Sequence, residues 1–327
     1  MKPAILIQAK RANLIEREHL GFIVVVDKNE NILFQSRDSN NTPVFLRSCA
    51  KPLQALPIIT SGAYQEFNFT LEELAICCAS HTGSDKHLKT IKNVLNKIKL
   101  KEDQLLCGTH EPIDVEARNY LIKHSLKPSN LHNNCSGKHS GMLAVCIKNN
   151  WNITNYLDFN HPIQQEITNI IKKYCNVKGN IETSIDGCST PIHGIPLFKM
   201  GVGYLNLFLS NEGMPIKEAF MKNPLLIGGK GRLDSLIIES TQGRLISKTG
   251  AEGLCIVINP DEEKALVVKI MDASISARSL VTLECLKQLG WMTSKELENE
   301  TLKNFLDIKI RTHNNTIVGE VRFSFKI

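Results

Sequence analysis

The sequence predicts an α+β fold: an antiparallel sheet built from both chain termini and flanked by helices, with an all-helical subregion between them. Three observations lead there. Short β-rich runs gather near both ends of the chain, and apolar residues from about position 48 to 240 recur mainly at helical spacing. No Pro/Gly/Ser-rich linker and no internal repeat divides the 327 residues. The chain 1–327 therefore reads as one domain, with a helical insertion over roughly 60–240.

The elements follow in chain order. Ala4 to Ile7, Phe22 to Val26 and Ile32 to Phe34 are strand-like, and Asp27-Lys28-Asn29-Glu30-Asn31 supplies a hairpin connection. Thr70-Leu71-Glu72-Glu73 is a capping box in front of Leu74-Ala75-Ile76. Leu88 to Ile98 and Ile163 to Tyr174 carry apolar residues at helical spacing, and a helix over Met142 to Ile147 follows a polar loop. Strands return at Leu254 to Ile258 and Ala265 to Ile270, separated by a turn at Asn259-Pro260-Asp261-Glu262. A last helix covers Ala277 to Leu289 and stops at Gly290. The tail Ile317 to Ile327 reads either as one more strand or as a dimer contact.

Composition removes several function classes. Hydrophobic residues at 42% and charged residues at 22% are ordinary for a globular chain, which argues against disorder and fibres. The 39 basic and 33 acidic residues give a net charge of +6 without concentrated basic runs, so neither nucleic acid nor a membrane surface is an expected partner. The ten cysteines do not form a disulfide framework, since several sit in apolar stretches such as Ile76-Cys77-Cys78-Ala79. After Met1-Lys2-Pro3 the apolar run reaches only from Ala4 to Ile7, which is too short for an export signal. A cytoplasmic location is the expectation.

Three motifs carry chemistry. In Arg47-Ser48-Cys49-Ala50-Lys51-Pro52, a helix starting at Ser48 places Ser48 and Lys51 on one face, within hydrogen-bonding reach. Lysine is a base only when neutral; from about 10.4 its pKa must fall through burial or a nearby cation such as Arg47. That spacing alone arises by chance about twice in a chain of this composition. Lys248-Thr249-Gly250, after strand-like Arg244-Leu245-Ile246, is rarer, at roughly one such chain in ten. Ser-x-x-Lys early and Lys-Thr-Gly late is the order of penicillin-recognising serine enzymes and points to acyl transfer at a serine. Their Ser-Asp-Asn element has no match. Within Asn133 to Met142, Cys135 and His139 suit a metal, or His139 an acid or base; the bland alternative is a polar loop capping a helix. Ala79 to Gly83, after a buried-looking helix end, and Asp186 to Pro191, after a strand-like stretch, are polar loops that taken singly read as turns.

Together these segments resemble the bacterial L-asparaginase II family of the Rhizobium type, distinct from the threonine-dependent asparaginases. The matching stretches are Arg47 to Gln54, Ala79 to Gly83, Cys107-Gly108 with His110, Asn133 to Leu143, Asp186-Gly187-Cys188, Asn223-Pro224 with Gly228-Gly229, and Lys248 to Gly253. The resemblance implies a glutaminase / serine β-lactamase-like fold, a homodimer, and hydrolysis of L-asparagine to aspartate and ammonia. It also implies two Ser-Lys pairs, mapped here to Ser48 with Lys51 and to Ser80 with Lys269, Lys264 being the alternative lysine. A zinc site is implied at Cys135, Lys138 and Cys188; deprotonating such a lysine at pH 7 costs about 4.6 kcal/mol. An amino-acid amide carries both charges, so Asp186 and Arg47, with His139, are the expected substrate-binding residues. Ser189-Thr190-Pro191 departs from the family's glycine-containing continuation, and Lys230 and Asp234 lie in a segment that often differs.

The expected mechanism is a double displacement, in which Ser48 attacks with Lys51 as base and water then hydrolyses the ester. Three rivals remain: a glutaminase or other small-amide serine hydrolase, a non-catalytic penicillin-binding-like ligand sensor, and a zinc hydrolase whose serines only bind substrate.

Overall fold

In a computed structural model, which describes residues 2–37 and 41–327, the two ends of the chain build one antiparallel sheet. Its strands are β1 (Ala4–Arg11), β2 (Leu14–Asp27), β3 (Ile32–Gln35), β7 (Ile246–Thr249), β8 (Leu254–Asn259), β9 (Lys264–Ile270), β10 (Lys309–Arg311) and β11 (Ile317–Phe323). A smaller sheet holds β4 (Pro43–Phe45), β5 (Glu182–Ile185) and β6 (Pro191–Pro196). The large sheet runs β10-β11-β1-β2-β9-β8-β7, and β3 pairs with the far end of β2, opposite β9. Register places Val24 beside Val267, so the amino-terminal hairpin is closed by a strand from near the other end.

Alternation along the central strands divides the interior into two cores. Phe22, Val24 and Val26 of β2, with Ala265 and Val267 of β9, face the long helical region. Ile23 and Val25, with Leu266, Val268 and Ile270, face the other side, where the helix Ile275–Gln288 covers them. On the first side Gly201, in the helix Leu197–Phe208, lies so close to the sheet that a Cβ would come 2.8 Å from Val26. The fold class expected from sequence is the one observed. Among the described residues, no helix is long and apolar enough to cross a membrane.

Several boundaries differ from the sequence reading. β2 begins at Leu14 rather than near Phe22, because residues 14–20 pair only with β1 and stay largely exposed, without apolar alternation. The tail enters the sheet as β11 against β1, which resolves the strand-or-contact alternative for residues 317–323 in favour of a strand. The region expected to be mainly helical also holds β5 and β6, which pair with β4 just ahead of it. The capping box at Thr70 forms as expected: its hydroxyl accepts from Glu73 N, and Glu73 accepts from Thr70 N. All ten cysteines are buried free thiols.

Candidate active site

The segment Arg47–Ala50 forms one 3₁₀ turn that runs directly into the helix Lys51–Thr60. Pro52 falls in its first turn, where the missing amide hydrogen has no intrahelical acceptor anyway. Arg47 adopts φ +46°, a left-handed conformation that aims the next residue away from the preceding strand β4. Cys49 and Ala50 pack inward, while Ser48 stays half-buried and lines a cavity of about 280 Å³ together with Ser80, Asn134, Arg232, Thr249 and Arg278. That volume lies just below the usual range for drug-sized ligands and suits an amino acid better than a peptide. A larger hollow between Ala4, Phe34 and Phe325 is also lined by Ser36, Ser324 and Lys326, but no hydrogen bond joins that lysine to either serine.

Lys51 is almost completely buried, and its amine donates to Ala79 O at 2.6 Å, Ser80 Oγ at 3.0 Å and Asn134 O at 3.0 Å. Three acceptors use all three donors of an ammonium. The expected Ser48–Lys51 contact is thus replaced by Ser80–Lys51. Ser80 is held there because its N–H donates to Ile227 O at the end of a short helix. Burial pulls the Lys51 pKa down; the nearby Cys135 opposes this, and the cations of Lys248 and Lys138 add to it. An amine buried in this way against a hydroxyl in a cavity is equipped to take a proton.

Lys269 does not partner Ser80, which corrects the second pairing. The two-residue period does put it on the face of Ala265 and Val267, but its amine donates to the carbonyls of Glu252 and of Ile270, the latter at 2.9 Å. It is absent from the cavity wall. Burial lowers its pKa, with Glu252 and Asp272 opposing. Lys264, the alternative, points outward to Glu262 at 2.8 Å.

The other lysine behind the site is Lys248. It is fully buried at the end of β7, donating to Asp234 Oδ2 at 3.1 Å and Thr249 O at 2.9 Å. Asp234 also accepts from Thr249 N and Oγ1, so Lys-Thr-Gly is locked onto the helix Leu233–Ser240. Burial alone would raise the Asp234 pKa, but Lys248 and then Arg232 hold it well below the usual carboxylate range. The tripeptide was visible in sequence. Asp234 was noted only as part of a segment that often differs, not as the partner of that tripeptide.

Arg47 and Asp186 meet each other. Nη2 and Nε of Arg47 lie 2.9 and 3.0 Å from Asp186 Oδ1, and neither residue lines the cavity. The cations on the cavity wall are Arg232 and Arg278, both of which the sequence reading missed; for Arg232 its position after Gly228-Gly229-Lys230-Gly231 was the available signal.

Behind the cavity the helix Ser136–Lys148 brings the proposed zinc ligands together. Lys138 Nζ lies 3.1 Å from Cys188 Sγ and 2.5 Å from Thr190 Oγ1. The Cys135 thiol donates to Cys188 and, together with the Lys138 charge, drives the Cys188 pKa far down in spite of burial. Lys138 responds in kind: burial disfavours its charge, but Cys188 and Cys135 raise its pKa overall. His139 is wholly buried and off the cavity wall, so it does not fit the expected contact with substrate. Its Nδ1 meets Tyr156 Oη at 2.7 Å, while Nε2, beside Cys188, has no hydrogen-bond partner; burial lowers its pKa to about 4. Among the described residues no group of three or more His, Cys, Asp or Glu side chains is placed to hold a metal ion. Two sulfurs and the amine of Lys138, a residue type outside that group, nevertheless make a donor set that fits zinc, provided the metal displaces the lysine proton.

A model of the family described as L-asparaginase II matches residues 7–323 of this chain. A search of curated proteins finds no match. Among solved structures the chain is similar to a β-lactamase from Mycobacterium bovis, with a TM-score of 0.44 and 13% identity, covering 82% of this chain and 94% of that one. It is also similar to unliganded simvastatin synthase from Aspergillus terreus, with a TM-score of 0.32 and 10% identity, covering 80% of this chain and 91% of that one.

Proposed function

Because the chain belongs to the L-asparaginase II family, we propose that it hydrolyses L-asparagine to L-aspartate and ammonia through an acyl-enzyme on Ser48. Amide hydrolysis is the reaction class that membership carries. The observation that most supports the mechanism is the buried Lys51 amine, 3.0 Å from the hydroxyl of Ser80, at a cavity that Ser48 also lines. No protein group hydrogen-bonds the Ser48 hydroxyl among the described residues, so the relay to Ser80 requires the two hydroxyls, which line the same cavity, to close on each other when substrate binds.

In this reading neutral Lys51 takes the Ser80 proton while Ser80 takes that of Ser48, and Ser48 Oγ bonds to the side-chain amide carbon. The proton returns along the same path to the amide nitrogen, the C–N bond breaks and ammonia leaves. Water then attacks the aspartyl ester, gives its proton to the relay and releases aspartate with Ser48 restored. Zinc is the cofactor of this reading: Cys135, Cys188 and a deprotonated Lys138 would hold it, and its charge would brace the two loops behind the cavity and add positive field there.

One set of preparations tests both parts. With asparagine, wild-type protein releases ammonia, whereas Ser48→Ala loses roughly a thousandfold or more in kcat at unchanged thermal stability. A variant retaining a tenth of the rate excludes Ser48 as nucleophile. Elemental analysis of the same samples finds zinc in wild type and in Cys146→Ser but not in Cys188→Ser; equal zinc in all three removes the ligand set.

A further inference from the structure

We propose that Arg232 binds the α-carboxylate of the substrate and so restricts the site to amides of α-amino acids; this rests on the amide hydrolysis proposed above. The argument is one of charge accounting at the cavity wall. Three of its lining residues carry formal charge: Arg232, Glu252 and Arg278. Glu252 turns a largely exposed carboxylate toward Arg47 Nη1, at 3.5 Å. Arg278 is almost wholly buried and donates from Nη1 to Gly250 O at 3.2 Å, so it props the wall and adds positive field from behind.

Arg232 is different. Its side chain has no hydrogen bond or ion pair with any described residue. The nearest available anion would be Asp234, yet both its oxygens are occupied by Lys248 Nζ, Thr249 N and Thr249 Oγ1. The backbone of Arg232 is fixed at both ends, its N–H donating to Gly229 O and its carbonyl accepting from Leu236 N. A rigidly based, half-buried guanidinium that feels the Asp234 charge but has no hydrogen-bonded partner, facing the same cavity as Ser48 and Ser80, is complementary to a carboxylate by both charge and fork geometry. The pair expected from sequence to hold the ionic ends of the substrate, Arg47 and Asp186, is already internally neutralised.

The test removes the arginine and the carboxylate in turn. Arg232→Gln, with Arg232→Lys as the conservative variant, is assayed on L-asparagine, on succinamate (carboxylate without amine) and on 3-aminopropanamide (amine without carboxylate). The expected result is a loss in kcat/KM of roughly 30-fold or more on the first two, partial recovery with lysine, and little change on 3-aminopropanamide. Equal losses on all three substrates overturn the assignment, as does an unchanged rate on asparagine; unaltered thermal unfolding excludes a folding defect. If wild-type protein turns over none of these amides, the proposed activity fails on its own. Titration with L-aspartate against β-alanine then decides the arginine: binding of aspartate that Arg232→Gln abolishes supports the assignment, and binding that it leaves unchanged, or no binding by wild type, overturns it.

Discussion

In the proposed mechanism the chemistry turns on Lys51, and its environment gives the pH dependence a sign. Burial, followed by the fields of neighbouring charges, places its pKa below the ordinary lysine value of 10.5. The neutral form is the base, so kcat/KM should rise with pH through a limb whose midpoint lies below 10.5 and fall toward acid as the amine is protonated. A rate profile flat from pH 6 to 10, with chemistry shown to be rate-limiting, would falsify that role. The sequence made Lys51 legible, since Ser-x-x-Lys at a helix start is a local pattern. It did not reveal which hydroxyl the amine meets, because Ser80 arrives from another element and is placed by a hydrogen bond to residue 227. Lys269 was misassigned for the complementary reason: strand period fixes the face of a side chain but not where a four-carbon stem ends. Ser189 adds a smaller residue-level cost. It adopts φ +67°, a left-handed conformation that a glycine would hold without strain, at a cost of about 1–2 kcal/mol.

At the scale of elements, the helix Ser136–Lys148 does the most positioning. It carries Lys138 and His139, and it approaches the helix Leu71–Cys77 so closely that a Cβ on Gly137 would lie 2.1 Å from Ile76 O. Neither backbone can give way without moving Cys135 and Lys138 on one side or Ser80 on the other. Gly137→Ala should therefore cost about 2–3 kcal/mol and reduce activity with it. Gly187→Ala, where nothing lies within 4 Å of the added methyl, should leave the unfolding midpoint unchanged. Comparing the two midpoints by calorimetry checks this; equal midpoints would show that the contact is softer than described. The sequence announced this helix only from Met142, six residues late. Its first turn is polar and buried, a combination that amphipathic pattern cannot register because those side chains serve the site rather than the core. The capping box at Thr70, whose signal is contained in four consecutive residues, was read correctly.

For the whole molecule, strands at both ends with helices between were enough to infer one sheet from the two termini, and register confirms it, with β2 lying against β9. What sequence withheld was the sharing of cores. Adjacent residues such as Ile23 and Val24 serve opposite sides of the sheet, which appears along the chain only as an unbroken apolar run. The small sheet β4-β6-β5 was hidden for a related reason, since pairing residue 44 with residue 195 leaves no trace in either segment.

The place of β9 in that sheet has a consequence for how the protein is made. A ribosome delivers β2 first, then the entire helical region, and only afterwards the strand that covers its open edge. Until then a hairpin of high β propensity stays unpaired on one side, a template for aggregation that closing so long a loop is slow to relieve. Nascent chains stalled before residue 264 should thus remain protease-sensitive and dependent on chaperone holding, with resistance appearing only once residue 270 has cleared the exit tunnel. Early resistance in the shorter chains would mean that the helical region folds without waiting for its sheet.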